Sequence, residues 1–134
     1  MFKTQFNKFV CVGDSIDCES GPYTITARVE YDDTTTPMNY GSEDCYFDTN
    51  DPEHGARIKA IIQSWENDEW FYCGIVLSVV HTQSGVVLNE HAASLWGIEC
   101  NFPEGDNKFL ACIANDLINE AIESANDIYE SLTK

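Results

Sequence analysis

Negative charge runs through the whole length of this chain, including the stretches patterned like folded structure, and any fold it adopts must tolerate that repulsion. Of 134 residues, 23 are Asp or Glu and only seven are Lys or Arg, a formal charge of −16. Eight carboxylates and no cation lie between Arg28 and Arg57, seven carboxylates between Lys59 and Lys108, and five between Lys108 and Lys134. Such an imbalance opposes compaction, favours solubility and draws the molecule toward basic surfaces. What offsets it is apolar content. Three Trp, six Tyr and seven Phe, with patterned aliphatic runs, separate the chain from disordered acidic segments of low hydrophobicity.

The length suits one domain, 1–134, with a single core. No apolar stretch approaches the roughly 20 residues that span a bilayer. The N-terminus MFKTQFNKFVCV mixes lysines with apolar residues and has no small-residue cleavage site, so it suggests a strand rather than a signal peptide. A cytoplasmic location is therefore expected, with the six cysteines reduced. Those cysteines form no C-x-x-C pair and lie far from the three histidines in sequence, which favours buried structural thiols over a metal site. Three disulfides in an oxidising setting remain an alternative that no feature demands.

Local patterns predict the elements. Residues 6–12 have strand propensity, with Phe9, Val10, Cys11 and Val12 as an apolar run. Gly13 to Pro22 suggests a polar, acidic turn region. Ile25, Ala27, Val29 and Tyr31 then alternate with polar residues, as in a half-buried strand paired with the first. Residues 32–50 hold no period and suggest a long loop. Asp51-Pro52-Glu53 suits a helix start, with Asp51 as cap, and Ile58, Ile61, Ile62 and Trp65 share a face at helical spacing. WFYCGIVLSVVH suggests a central strand, a turn falls at 82–85, and VVLNEHAASLWGIE returns as a second hairpin. A helix over 107–132 closes the chain, its apolar stripe running through Leu110, Ile113, Ala114, Leu117, Ala121, Ala125, Ile128 and Leu132. The expected fold is α+β in the order ββαββα, a four-stranded antiparallel sheet of two hairpins with both helices on one face.

On the last helix Asp116, Glu120, Glu123, Asp127 and Glu130 follow one another at steps of four, three, four and three. At ~100° per residue they occupy a sector of roughly 80°, a row ~21 Å long with ~5 Å between neighbours. A solvated helix face is the ordinary explanation. Ordinary faces, however, interleave Lys with Glu, because like charges four apart repel, and residues 109–133 contain no Lys or Arg. The row, assisted by Glu66, Asp68 and Glu69, is thus the expected partner-binding surface.

Other chemistry is poorly supported. Asp48, Asn50, Asp51, Glu53 and His54 resemble a cation loop only until Pro52 interrupts it and Lys59 falls where a calcium loop needs Glu. Asp14, Asp17 and Glu19 form a looser acidic turn. His54, His81 and His91 lack H-x-x-x-H or H-E-x-x-H spacing, although His81 and His91 flank the second hairpin and could sit near each other. A Cys–His pair using Cys73, Cys100 or Cys112 has no local signature, and no nucleophile-elbow, P-loop or dinucleotide motif occurs. No enzyme activity, metal or cofactor is expected. Direct nucleic-acid binding is disfavoured because seven scattered cations cannot replace the counterions of a polyanion.

Between residues 64 and 107 the segments SWENDEWFYCGIVLSVV, ASLWGIE and FPEGDN stand out. Carried by Trp65, Trp70, Tyr72, Gly74, Ala93, Ser94, Leu95, Trp96, Gly97, Ile98, Glu99, Gly105, Asp106 and Asn107, this pattern resembles a set of small phage-encoded proteins of unassigned function. Small, very acidic phage proteins are in turn similar, as a class, to DNA-mimic anti-restriction and anti-CRISPR inhibitors. The resemblance implies a partner that is a basic nucleic-acid-binding defence protein of the host, met in the host cytoplasm. The competing expectation is a small acidic adaptor acting through an apolar or sheet-edge surface, dimerising with a second copy or joining a complex.

Overall fold

A computed structural model describes residues 1–37 and 52–133. Six elements follow one another: β1 Ser15–Ser20, β2 Tyr23–Tyr31, α1 Gly55–Glu66, β3 Phe71–His81, β4 Val87–Cys100 and α2 Lys108–Leu132. The four strands form one sheet in the order β1-β2-β3-β4, every neighbour antiparallel. This is the ββαββα, α+β arrangement that the pattern of periods predicts.

The period of two in β2 is realised directly. Tyr23, Ile25, Ala27 and Val29 are buried while Thr24, Thr26, Arg28 and Glu30 are half-buried on the other side. β3 is one of the two inner strands, and its continuous apolar run matches burial on both faces. Cys73, Ile75, Leu77 and Val79 join the main core, which Phe2, Phe6, Val10 and the buried side of α2 complete. α2 packs on β4, β3 and β2 through Leu110, Ala111, Ala114, Ile118, Ala121 and Ala125, the small alanines letting the helix come close. Leu132, at the end of the predicted stripe, is exposed.

α1 does not share that core. Its Ile58, Ile61, Ile62 and Trp65 pack with Phe102 against Trp70 and Tyr72, a separate cluster. Tyr72 alternates with Cys73 along β3, so these contacts place α1 on a different side of the strand from α2. The expectation that both helices cover one face does not describe these contacts. An apolar helix face reveals that something is buried, not which side of a sheet receives it.

Two further expectations need correction. Residues 6–12 form no strand; the first strand is Ser15–Ser20, inside the stretch expected to be a turn. The apolar run misleads because only Val10 of Phe9–Val12 is buried, while Phe9, Cys11 and Val12 face solvent. β1 is an edge strand whose Ile16 points into the core while Asp17 and Glu19 point out, the charged edge that limits unwanted pairing. A two-residue loop, Gly21-Pro22, joins it to β2, with Gly21 at φ 55 where such tight hairpins demand a positive angle. α1 begins at Gly55 rather than at 51; Asp51, the expected cap, lies outside the described residues, and His54 occupies the cap position without a side-chain hydrogen bond.

The first fourteen residues, though irregular, are fastened by side-chain amides. The Val10 N–H donates to Asn101 Oδ1 (2.9 Å), and Asn101 Nδ2 donates to the Val10 carbonyl (2.8 Å). Asn107 Nδ2 donates both to the Lys8 carbonyl and to Asn101 Oδ1, each at 2.8 Å, while Asn107 Oδ1 accepts the Asn101 N–H at 2.9 Å. Both asparagines adopt left-handed backbone, φ 60 and 64, which Asn tolerates better than most residues. Farther along, the Phe2 N–H donates to Asn115 Oδ1 on α2.

Candidate functional site: the acidic face of α2

α2 is 25 residues with no internal Gly or Pro, so the backbone that carries the acidic row is regular. Its buried face fixes its rotation on the sheet, and the opposite face is thereby presented to solvent. Asp116, Glu120, Glu123, Asp127 and Glu130 are all exposed. The row therefore lies where the periodicity predicts, on one side of a rigid rod.

Its electrostatics are uncompensated. Ion pairs among the described residues are Arg28–Glu30, His54–Glu53, Arg57–Glu104 and Lys108–Asp106, none of which involves the row. The helix has no acidic residue in its first turn and no basic residue in its last. Asp127 and Glu130 instead approach the negative end of the helix dipole, where a carboxylate costs a few tenths of a kcal/mol or more. Adjacent row members add a similar repulsion. One carboxylate per ~5 Å is about two thirds of the linear charge density of one DNA strand, at ~3.4 Å of axis per nucleotide.

Glu66, Asp68 and Glu69 are exposed but belong to a different place. They form the exit from α1, where the Asp68 N–H donates to the Trp65 carbonyl, the Glu69 N–H to Ser64, and Asp68 takes φ 61. Glu69 lines a shallow hollow of about 300 Å³ with Arg57, Ser64 and Glu104. α1 is not among the elements on which α2 packs. The register pairs Phe71 with Cys100, so this turn stands at the sheet end where α2 begins, whereas Tyr129 stacks on His81 at the opposite end. The two acidic groups do not merge into one continuous row.

Among the described residues, no three His, Cys, Asp or Glu side chains converge as a metal site would require. Asp48, Asn50 and Asp51 lie outside the described residues, and Glu53 and His54 pair with each other at the surface. His81 and His91, the flanking pair of the second hairpin, have different neighbours: His81 Nδ1 meets Ser84 Oγ at 2.7 Å, and His91 Nε2 meets an Arg28 nitrogen at 3.2 Å. Cys73 and Cys100 are buried, and the neighbouring Cys73 thiol, with burial, pushes the Cys100 thiol far up, away from nucleophilic thiolate chemistry. Cys11 and Cys112 are exposed and free, and Cys45 lies outside the described residues.

Two sites went unanticipated. Asp32, 5% exposed, accepts hydrogen bonds from the N–H and hydroxyl groups of Thr34 and Thr35 and from the Gly97 N–H. Burial alone would raise its carboxyl, but these donors together hold it below the ordinary Asp value. The D-x-T-T spacing is a readable turn signal; the long-range bond to Gly97, at φ 75 in an irregular stretch of β4, is not. The second is Trp96 on Gly74. A Cβ on Gly74 would lie within 2.6 Å of ring carbons Cδ2, Cε3 and Cζ3, so only glycine admits the indole there. No family model, no curated protein and no solved structure matches the chain.

Proposed function

We propose that this chain is a binding protein, without catalysis of its own, whose α2 carboxylates occupy the phosphate-binding groove of a basic nucleic-acid-binding protein. The observation that carries the reading is the uncompensated row: five exposed carboxylates on one face of a rigid helix, none in an ion pair among the described residues. A charge that served only solubility could be scattered or interleaved with lysines at lower electrostatic cost. The resemblance of residues 64–107 to small phage proteins suggests a host defence protein as the target, inhibited in the anti-restriction or anti-CRISPR manner. Glu66, Asp68 and Glu69 are a secondary contact in this reading.

The test is capture from host lysate at low salt followed by a salt gradient, then the same with E120K/E123K/D127K. Steered, charge-dominated binding should weaken steeply as salt rises, and the triple variant should lose capture and inhibition while keeping its unfolding midpoint. Full retention of inhibition by the folded variant rejects the row as the binding surface. The adaptor alternative finds support in Val87 and Leu95 of the edge strand β4 and Val86 just before it, all exposed. Affinity indifferent to salt would select that alternative.

A further inference from the structure

The sheet face opposite α2 carries a different surface. Thr24, Thr26, Arg28 and Glu30 of β2 and Ser78 and Val80 of β3 are all half-exposed there. Trp96 of β4 lies over this face at Gly74, yet remains 45% exposed. The close approach of three ring carbons to Gly74 means that one side of the indole covers backbone, so the exposed area belongs largely to the rest of the ring. Its Nε1 donates to Ser94 Oγ at 3.2 Å, which fixes the ring's orientation. A glycine within an inner strand weakens that strand; here it seats an aromatic that stays substantially in water.

The surroundings of the ring are acidic. Glu30 is the register partner of Gly74, over which the Trp96 ring lies, so the two residues are neighbours on this face. Glu30 Oε1 is 3.5 Å from Arg28 Nε. A hollow of about 440 Å³ on the same face shares Glu30 with this neighbourhood and is lined also by Arg28, Ser78, Val80, Glu90 and His91. Two carboxylates there face one guanidinium, so an added cation is favoured over an added anion. A held, half-exposed indole beside a carboxylate fits a planar cation, which stacks on the ring while its N–H groups reach the acid.

We infer that Trp96 and Glu30 form a docking site for an arginine side chain of a basic protein partner. The site is separate from the α2 row and stands or falls independently of it. A lysine fits less well, because its ammonium is more strongly hydrated and cannot stack and hydrogen-bond in one plane.

The probes are acetyl-Gly-Arg-Gly-Arg-Gly-amide and its lysine analogue, titrated into the full chain. NMR would follow the Trp96 indole N–H, assigned with W96L, and the Gly74 amide. The arginine peptide should shift both signals and protect Trp96 from acrylamide quenching. The lysine peptide should bind about three- to fivefold more weakly, and W96L and E30Q should reduce arginine binding by about the same factor. The wild-type quenching measurement requires no variant to fold. A chain with the five α2 carboxylates changed to amides should keep the Trp96 response even if all lysate capture is lost. The inference is overturned if shifts are confined to 116–130, if arginine and lysine peptides bind equally, or if a neutral benzyl-amide peptide protects Trp96 as well as the arginine peptide does.

Discussion

Replacing Asn107 with alanine removes a side chain that is 1% exposed and ties together three parts of the chain. Three hydrogen bonds disappear: to the Lys8 carbonyl, to Asn101 Oδ1, and from the Asn101 N–H. At about 1 kcal/mol net each, and more where a buried partner is left unsatisfied, the loss is about 3–4 kcal/mol. Alanine must also hold φ 64, a left-handed angle costing roughly 1 kcal/mol more than for Asn or Gly. The sum, ~4–5 kcal/mol, is a large part of the ~5–15 kcal/mol that stabilises a typical domain. Urea unfolding followed by circular dichroism measures it, and Asn107→Gly separates the two contributions. Glycine should recover about 1 kcal/mol of the loss, because it accepts the angle but not the hydrogen bonds. Hydrogen exchange at the Val10 amide should accelerate in both variants, since its acceptor Asn101 loses its support. A loss below about 1 kcal/mol in Asn107→Ala, or a glycine variant no better than alanine, would refute the argument that these bonds secure the N-terminal segment.

Four other outcomes are expected. Gly74→Ala should expel the indole and red-shift the Trp96 emission at a cost of about 1–3 kcal/mol, and much of that cost should vanish in the W96A background. Asp32→Ala should destabilise by about 2–4 kcal/mol at neutral pH by orphaning several donors. Because its carboxyl is held below the ordinary value in the fold, the Asp32 contribution is present above the unfolded Asp value near 3.9 and fades as pH falls through the lower folded value, so acid titration of the variant should be flatter there. Glu99 has the opposite sign: burial raises its carboxyl and Oε2 has no hydrogen-bond partner among the described residues, so Glu99→Gln should stabilise the chain at neutral pH and lose that advantage below the unfolded Glu value near 4.3. A thiol reagent should modify Cys11 and Cys112 rapidly in the native state and reach Cys73 and Cys100 only on unfolding.

The legibility of this fold followed the strength of its periods. β2 and α2 repeat a clear period over nine or more residues, β3 is one long apolar run and β4 follows it after a turn signal, and their positions were readable to within about a residue or two. β1 was not, because six residues of SIDCES alternate apolar with acidic or hydroxyl side chains, and an edge strand needs just that composition. The neighbouring FVCV run has the stronger propensity but lacks a sheet position to occupy. The row on α2 was visible from spacing alone, whereas the separation of Glu66, Asp68 and Glu69 from it depends on which end of the sheet each turn occupies. Asn101, Asn107 and Asp32 were hidden for a different reason. Their roles lie in bonds spanning 65 to 99 residues of sequence, and no local period records such pairings.

The amide clasps at Asn101, Asn107 and Asn115 set an order of events for a chain emerging from a ribosome. Residues near Lys8 and Val10 are made about ninety or a hundred residues before the groups that hold them. Synthesis at about 5–20 residues per second leaves the leading segment waiting several seconds for its anchors. Throughout that interval Phe2, Phe6 and Val10, buried in the finished molecule, remain without their final neighbours on α2. Lys3 and Lys8 flank those residues and keep the waiting segment cationic, on a chain whose later portions are anionic. Docking of residues 2–10 onto Asn101, Asn107 and Asn115 can thus follow only after α2 has been made.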